Sequence, residues 1–238
     1  MSISSLEPIL IQQSDRQEAI RCLLPPGSGR LQAARFERFA TENRIGLDWI
    51  WAIRDDARRI RCSALCVPSP GRTVMVFLSP VTRAEEISER AALLRHVLEE
   101  LRAQPLDLAQ VLLAREDDLA CRTHLEGGFR ELATLLYMER SMVRPGSPPP
   151  VPKGVEVTRW TPELEPVLQE ILEASYEDTL DCPGLCGLRR IEDIIAGHRA
   201  TGRHNPAYWH LLRLNGRSAG AILVNPGSSR DTIELVYL

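Results

Sequence analysis

The strongest constraint on the fold is a pattern of apolar runs that occurs twice, about 160 residues apart. In the first half, a Trp-led run at 51–56 precedes two further apolar runs at 61–68 and 74–78. The second half contains matching runs at 209–216, 218–226 and 233–238. The match aligns Trp209 with Trp51 and predicts that they hold equivalent places. A period of this length indicates duplicated domains rather than a solenoid of short repeats.

A proline-rich segment at 145–153 separates the two halves. Proline removes a backbone donor and biases its neighbours to extended geometry, which is typical of a semi-rigid linker. We therefore predict a first domain at 1–144 and a second at 154–238. The first copy continues well beyond its third run, whereas the second stops with that run at Leu238. We expect the second domain to lack its C-terminal half here and to belong to a longer chain.

Composition narrows the classes of function. Hydrophobic residues make up 44% of the chain and charged residues 26%, the balance of a globular protein with a real core. The net charge is -3, so nothing favours a nucleic-acid partner. The N-terminus lacks the layout of a signal peptide, and no apolar stretch reaches the roughly 18 residues of a membrane span. We predict a cytoplasmic location, no membrane partner and reduced thiols for the six cysteines.

Hydrophobic periodicity predicts strands and helices in mixed order in both halves. In the first half the predicted strands are 8–12, 47–54, 59–67, 73–78, 108–114 and 132–138, and the helices are 16–39 with a break at 24–29, 84–103 and 117–125. In the second half the predicted order is a strand at 155–158, helices at 163–175 and 191–200, and three strands. The predicted class is α/β, with a mixed sheet of the α+β kind in each of two tandem domains.

Segments of both halves resemble the GNAT superfamily of acyl-CoA-dependent N-acetyltransferases. In the first half, 126–131 and 136–140 are similar to the closing helix, turn and last strand of that family. In the second half, 216–220 and 234–238 are similar to its third and fourth strands. Two copies around a proline linker resemble the layout of mycothiol synthases.

The resemblance implies an activity. Acetyl-CoA, as co-substrate, would give its acetyl group to a small-molecule or peptide amine, in the second domain of a longer chain. The alternative from a different class is a non-catalytic scaffold or binding protein built from degenerate GNAT units.

The most specific motif of the family is a glycine-rich turn after the fourth strand, whose backbone N–H groups hold the CoA pyrophosphate. The equivalent stretch of the first copy, 79–88, contains no glycine and carries Glu85 and Glu86. Acidic residues favour an empty helix N-terminus and oppose a pyrophosphate. We expect the first domain not to bind acetyl-CoA in the family manner. In the second copy the motif would begin past Leu238, so we expect the chain as given to be weakly active or inactive.

Acetyl transfer to an amine needs a base to take the ammonium proton. Glu234 is the candidate, because it lies mid-strand where several family members place a glutamate facing the acceptor. The alternative is a solvent-facing residue on an alternating strand. The resemblance also implies that Leu235, Val236, Tyr237 and Leu238 bind the cofactor. Tyr237 fits a core position as well, because aromatic residues in strands usually pack there.

The acceptor site of the family is shaped by a loop and a helix that fall here near 176–190. The candidate substrate-binding residues are Tyr176, Glu177, Asp178, Asp181, Arg189 and Arg190. The acidic members could hold a cationic amine. A solvated loop with helix-capping carboxylates accounts for them equally well.

Two further sequence features are better explained by a structural role than by a catalytic or metal-binding one. His124 lies where the family commonly has its acid tyrosine, and we interpret it as a helix-surface residue. Cys182, Cys186, His198 and His204 have nearly the spacing of a zinc finger. Six residues along a helix would turn the two histidines about 120° apart, whereas tetrahedral zinc needs all four side chains to converge. We therefore expect no metal.

The last run, 233–238, would leave an unpaired apolar sheet edge, which is a site of pairing or aggregation. We expect this edge to be covered by the first domain, by another copy of the chain in a homo-oligomer, or by residues beyond Leu238.

Overall fold

The computed structural model describes residues 7–142, 147, 150–180, 182–227, 229 and 231–238. The chain divides into two compact units, which we name unit 1 and unit 2. Unit 1 ends at Glu131 and unit 2 begins at Leu132. The predicted linker at 145–153 lies partly outside the described residues, and the predicted domain boundaries stay predictions.

Unit 1 is a mixed sheet with helices on both faces. Its elements are β1 (Ile9–Leu10), α1 (Arg16–Leu23), α2 (Arg30–Glu42), β2 (Ile50–Arg54), β3 (Ile60–Ser69), β4 (Thr73–Leu78), α3 (Ile87–Arg102), β5 (Leu108–Gln110) and α4 (Asp118–Glu126). The strands are ordered β1-β2-β3-β4-β5. The first four pair antiparallel, and β5 pairs parallel to β4 with Leu108 opposite Thr73. The predicted mixed α/β class is confirmed for this sheet.

Alternation along the strands buries both faces of the unit 1 sheet. Ile50 and Leu65 face the buried alanines of α1 and α2. Trp51 and Ala64 face the opposite way, against α3. The apolar stripe of α3 consists of Leu93, Leu94, Val97 and Leu101, a spacing that keeps them on one side of a helix. Each of these buried side chains contributes about 1.5–3 kcal/mol to stability.

Unit 2 is an antiparallel sheet covered by two helices on one face. Its elements are β6 (Val155–Arg159), α5 (Glu165–Tyr176), α6 (Ile191–Ala200), β7 (Trp209–Leu214), β8 (Arg217–Pro226) and β9 (Ile233–Tyr237), with strand order β6-β7-β8-β9. Leu172 of α5 and Ile195 of α6 are fully buried against Trp209 and Leu223. Among the described residues β9 pairs only with β8, so its other side is a sheet edge.

Both units contain a strand, two helices and three antiparallel strands in the same order. The strand pairing within each unit, however, does not support the predicted equivalence of Trp51 and Trp209. The corresponding ladders are Ile50, Leu65 and Phe77 in unit 1 and Trp209, Leu223 and Tyr237 in unit 2. Trp209 thus takes the place of Ile50 on the face of the helix pair, whereas Trp51 faces α3. The predicted equivalence is wrong by one residue, and such a shift reverses the face of the sheet.

The strand predicted at 132–138 is also wrong. No helix or strand forms there, and Leu136, Tyr137 and Met138 are 83%, 83% and 91% exposed. Strand residues are stabilised by cross-strand neighbours, and among the described strands none pairs with this run. β5 ends at Gln110 rather than at 114, because only three residues pair with β4.

The helices are short. α3, the longest in the described part of the chain, has 16 residues. A bilayer span needs about 20 apolar residues, and no helix that the structure describes is long and apolar enough for one.

Candidate functional site

Unit 2 contains a cleft of about 460 Å³ between the C-terminal half of α5 and the sheet. Its walls are the 170–175 stretch of α5, the 218–221 stretch of β8, Leu212, and the last two residues of the chain, Tyr237 and Leu238. The polar groups come from Glu170, Ser175, Ser218 and Tyr237. Glu170 is the single charged side chain among the described lining residues. The cleft therefore combines one carboxylate with hydroxyl groups and an apolar floor.

The local sequence explains why this space is open. α5 directs Leu168 and Leu172, one helical turn apart, into the core of unit 2. The residues that flank the cleft are small, with Ala174 on the helix and Ala219 and Gly220 on β8. Larger side chains at these places would fill the gap. The cleft is thus a consequence of side-chain size at facing positions.

Two hydroxyl groups form one polar edge of the cleft. The hydroxyl of Tyr237 donates a hydrogen bond to Ser175 Oγ. Ser175 Oγ in turn donates to the carbonyl of Leu172 at 2.7 Å. The ring of Tyr237 also lies 6.3 Å from the ring of Tyr176 and 5.6 Å from that of His198, measured between centroids. These contacts fix Tyr237 on the cleft wall.

His198 is also a neighbour of this polar edge. From the sequence, it is considered only as a candidate zinc ligand. Burial, together with the positive charge of Arg189, lowers the pKa of His198 to about 4. Its imidazole is therefore neutral at pH 7. Its Nε2 is buried and has no hydrogen-bond partner among the described residues.

Glu234 lies outside the set of residues that line the cleft. It pairs across the ladder with Asn225, which is fully buried on the helix-covered face. A methyl group placed on Gly227 would lie 3.2 Å from Glu234 Oε1. Its strand neighbours Ile233 and Leu235 are 64% and 60% exposed, whereas Glu234 is half-buried. The structure thus directs the glutamate to the helix-covered face, and its role as base stays a prediction.

The four predicted cofactor-binding residues divide into two pairs. Tyr237 and Leu238 line the cleft. Val236 packs against the core of unit 2, and Leu235 is exposed on the sheet. Sequence reasoning missed Glu170 and Ser175, although both lie on α5 beside its buried stripe.

The predicted acceptor residues are spread over the α5–α6 connection. Tyr176 is half-buried beside Tyr237, and Glu177 and Asp178 are exposed. Asp181 lies outside the described residues. In the described part of the chain, Glu177 and Asp178 are not among the residues that line the cleft, and the role of the predicted acceptor residues stays a prediction.

The two arginines that were predicted to bind the acceptor contact the beginning of α6. Arg189 Nη2 donates to the carbonyl of Asp193 at 2.9 Å, and Arg190 Nε donates to Asp193 Oδ2 at 2.9 Å. Asp193 lies in the first turn of α6, where a carboxylate is favoured by the helix dipole. Both guanidinium groups thus stabilise the start of this helix.

The zinc-finger spacing does not produce a cluster. Among the described residues, no group of three or more His, Cys, Asp or Glu side chains could hold a metal ion. Because α6 ends at Ala200, His204 lies beyond the helix, and the helical angle used above does not apply to it. Its ring packs 4.6 Å from that of Trp209, and Cys186 Sγ donates to the carbonyl of Tyr176.

His124 in unit 1 is buried, at 4% exposed, so the expectation of a helix-surface residue is wrong. Its ring packs 5.5 Å from that of Phe129, and Nδ1 lies 2.8 Å from the carbonyl of Ala120. Burial lowers the pKa of His124.

In the turn between β4 and α3, Glu86 directs its carboxylate inward, whereas Glu85 is exposed.

Comparison with solved structures finds N-acetyltransferases. A GCN5-related N-acetyltransferase from Sphaerobacter thermophilus is 15% identical with a TM-score of 0.48, over 93% of this chain and 72% of that one. The aminoglycoside 6′-N-acetyltransferase of Acinetobacter baumannii is 13% identical with a TM-score of 0.42, over 57% and 98%. A predicted acetyltransferase from Clostridium acetobutylicum, solved with acetyl-CoA, is 12% identical with a TM-score of 0.38, over 56% of this chain and 95% of that one. These are similarities of architecture alone.

No protein-family model matches the sequence, and no curated protein is significantly similar to it.

Proposed function

We propose that this chain is an acetyl-CoA-dependent N-acetyltransferase whose reacting site lies in unit 2. The observation that carries the proposal is the cleft between α5 and the sheet, which brings the carboxylate of Glu170 together with the hydroxyl groups of Ser175, Ser218 and Tyr237. An amine acceptor needs a place that accepts hydrogen bonds from an ammonium group and has a small apolar floor. The cleft offers both.

The reaction is direct transfer. The neutral amine attacks the thioester carbonyl, a C–N bond forms, the C–S bond breaks, and the CoA thiolate takes up a proton. A base must first remove the ammonium proton. Glu234 is the proposed base from its place on β9, and Glu170 is the carboxylate that lines the cleft.

The outer edge of β9 is the proposed seat of acetyl-CoA. Its backbone N–H and C=O groups face no strand among the described residues. Leu235, Val236, Tyr237 and Leu238 would offer these groups to the amides of the cofactor. The amine would approach from the α5–α6 connection, with Tyr176, Glu177, Asp178, Asp181, Arg189 and Arg190 around it.

The test measures free CoA thiol released from acetyl-CoA by the longest natural form of the chain in the presence of a panel of primary amines and amine-bearing peptides. We expect acetyl-CoA to raise the unfolding midpoint of the chain and one amine class to release CoA. Ala174→Leu, which fills the cleft from an exposed helix position, is expected to abolish turnover. Glu234→Gln is expected to lower kcat by about 10²–10⁴ and to remove the acidic limb of the pH–rate profile, because a base works only after it has lost its proton.

The matched control is Glu156→Gln, which removes an exposed carboxylate from β6 of the same sheet and is expected to leave turnover unchanged. If Glu170→Gln rather than Glu234→Gln changes the pH profile, the base is reassigned. If the chain releases no CoA and acetyl-CoA does not shift its unfolding midpoint, the non-catalytic binding protein replaces the enzyme as the proposed function.

A further inference from the structure

The turn between β4 and α3 of unit 1 carries a carboxylate surrounded by donors. Glu86 Oε2 accepts from the backbone N–H of Thr82 at 2.9 Å, from the Thr82 hydroxyl at 3.2 Å and from the backbone N–H of Arg83 at 3.3 Å. Glu86 Oε1 accepts from Arg83 Nη2 at 3.0 Å. The carboxylate thus occupies a place formed by two backbone N–H groups at the beginning of a helix, where an anion is favoured.

Arg90 adds a positive charge from the first turns of α3. Its side chain is 9% exposed, and Nη2 lies 3.5 Å from Glu86 Oε2. Its Nε has no hydrogen-bond partner among the described residues. A guanidinium this deeply buried is stable only beside a negative charge. The side chain of Glu86, 15% exposed, supplies that charge.

The carboxylate behaves as a bound anion. Burial by itself would raise the pKa of Glu86, but the Thr82 N–H, the Arg83 guanidinium, the Arg90 charge and the Thr82 hydroxyl outweigh it and lower the pKa to about 2. Glu85, the next residue along the chain, is exposed to solvent. The two adjacent glutamates therefore have different roles.

We propose that the β4–α3 turn of unit 1 is an anion site whose resident occupant is the carboxylate of Glu86. The site is formed by Thr82, Arg83 and Arg90, and it is closed to an external phosphate because the chain supplies its own anion. The acetyl-CoA that the fold resemblance implies does not fit unit 1 for this reason. The inference concerns anion binding in unit 1 and stands apart from acetyl transfer in unit 2.

Inorganic pyrophosphate is the probe, added to the whole chain and followed by calorimetry and by the backbone amide shifts of Thr82 and Arg83. We expect Glu86→Ala to bind pyrophosphate at least about tenfold more tightly than the unsubstituted chain, because the freed donors then bind an external anion. The amide signals of both residues should move with saturation. The unsubstituted chain should show neither effect.

Glu85→Ala is the matched control, because it removes the same charge one residue away and leaves the occupant in place. Pyrophosphate binding of equal strength in the unsubstituted chain or in Glu85→Ala would overturn the proposal. So would a folded Glu86→Ala that binds no pyrophosphate.

A second measurement covers the case in which Glu86→Ala does not fold. The side-chain carboxyl carbon of Glu86 in the unsubstituted chain is titrated by NMR, and a midpoint near pH 2 is expected. A midpoint at the ordinary glutamate value of about 4.3 would contradict the proposal, because such a carboxyl is not held by the donors.

Discussion

Asn225 connects β8 of unit 2 to the end of α6 through its side-chain amide. The residue is fully buried. Its Oδ1 accepts from Trp209 Nε1 at 2.9 Å, and its Nδ2 donates to the carbonyls of His198 at 2.9 Å and Thr201 at 2.7 Å. The two carbonyls lie in the last turn of α6 and at its C-cap, where helical donors run out, and the Thr201 backbone N–H reaches the His198 carbonyl only at 3.4 Å. One buried amide thus satisfies a core tryptophan and closes a helix.

Asn225→Leu keeps the size of the side chain and removes all three hydrogen bonds. We expect a loss of about 3 kcal/mol or more in the free energy of unfolding, because a buried unpaired polar group costs about 1–3 kcal/mol. Urea unfolding followed by circular dichroism measures it. Asn43→Leu is the control, because the Asn43 amide donates to Phe39 in solvent. A loss of the same size in both variants would contradict the argument.

His198 makes unit 2 sensitive to pH. Its folded pKa, about 4 because of burial and the Arg189 charge, lies below the ordinary value of about 6.5. As the pH falls from about 6.5 to about 4, the unfolded chain takes up a proton that the folded chain does not, so stability is lost over this window. The total loss in the free energy of unfolding over this window is roughly 3 kcal/mol.

Titration of the His198 imidazole by NMR should show a midpoint near pH 4. Arg189→Met is expected to raise this midpoint only in part, because burial remains. His198→Gln should lose less stability than the unsubstituted chain between pH 6.5 and 4. A midpoint at the ordinary histidine value would show that the ring is solvated.

β9 is the element whose surroundings matter most for assembly. One side pairs with β8, and the other side pairs with no strand that the structure describes. The outward side chains Ile233 and Leu235 are 64% and 60% exposed. Unpaired apolar edges are templates for pairing with another strand. We propose that, in the absence of acetyl-CoA, this edge pairs with a second copy of the chain.

Leu235→Lys is expected to weaken self-association of the chain, because a lysine on an edge strand opposes pairing. Sedimentation velocity at increasing concentration measures it. Leu31→Lys is the matched control, since Leu31 is 61% exposed and lies on α2 of unit 1. Equal sedimentation of both variants and the unsubstituted chain would show that the β9 edge takes no part in self-association.

At the scale of the whole molecule, each unit has its own hydrophobic core. Two buried clusters of unit 1 contain residues from its strands and from α1, α2 and α3. One cluster of unit 2 contains residues of α5, α6 and its strands. A separate core is the physical requirement for a unit that folds alone.

A chain of residues 1–131 is therefore expected to fold cooperatively, with a circular dichroism midpoint equal to that of one transition of the whole chain. The shorter piece 1–115 is the control. It lacks α4, which packs against α3, and should unfold at least about 5 °C lower. A non-cooperative 1–131 would mean that unit 1 depends on the rest of the chain.

The elements that the sequence predicted well are those with a strong local pattern. β4 and α6 have the predicted bounds, because alternation and helical spacing of apolar residues are read within one segment. The cleft escaped prediction, because it depends on small residues of α5 and β8 that are about 45 positions apart. The distinction between Glu85 and Glu86 escaped as well, because both have the same chemistry and only the turn directs one inward.

By itself the sequence determined the mixed α/β class and the order of strands and helices over 8–125 and 155–238, since these follow from periodicity and turn residues along the chain. Only the tertiary structure decided that Trp51 and Trp209 face different layers, because register is set by pairing and one residue reverses a strand face. It also decided that 132–138 forms no strand, because a strand needs a partner. Local pattern fixes what a segment can become, and long-range pairing decides which face and which neighbour it receives.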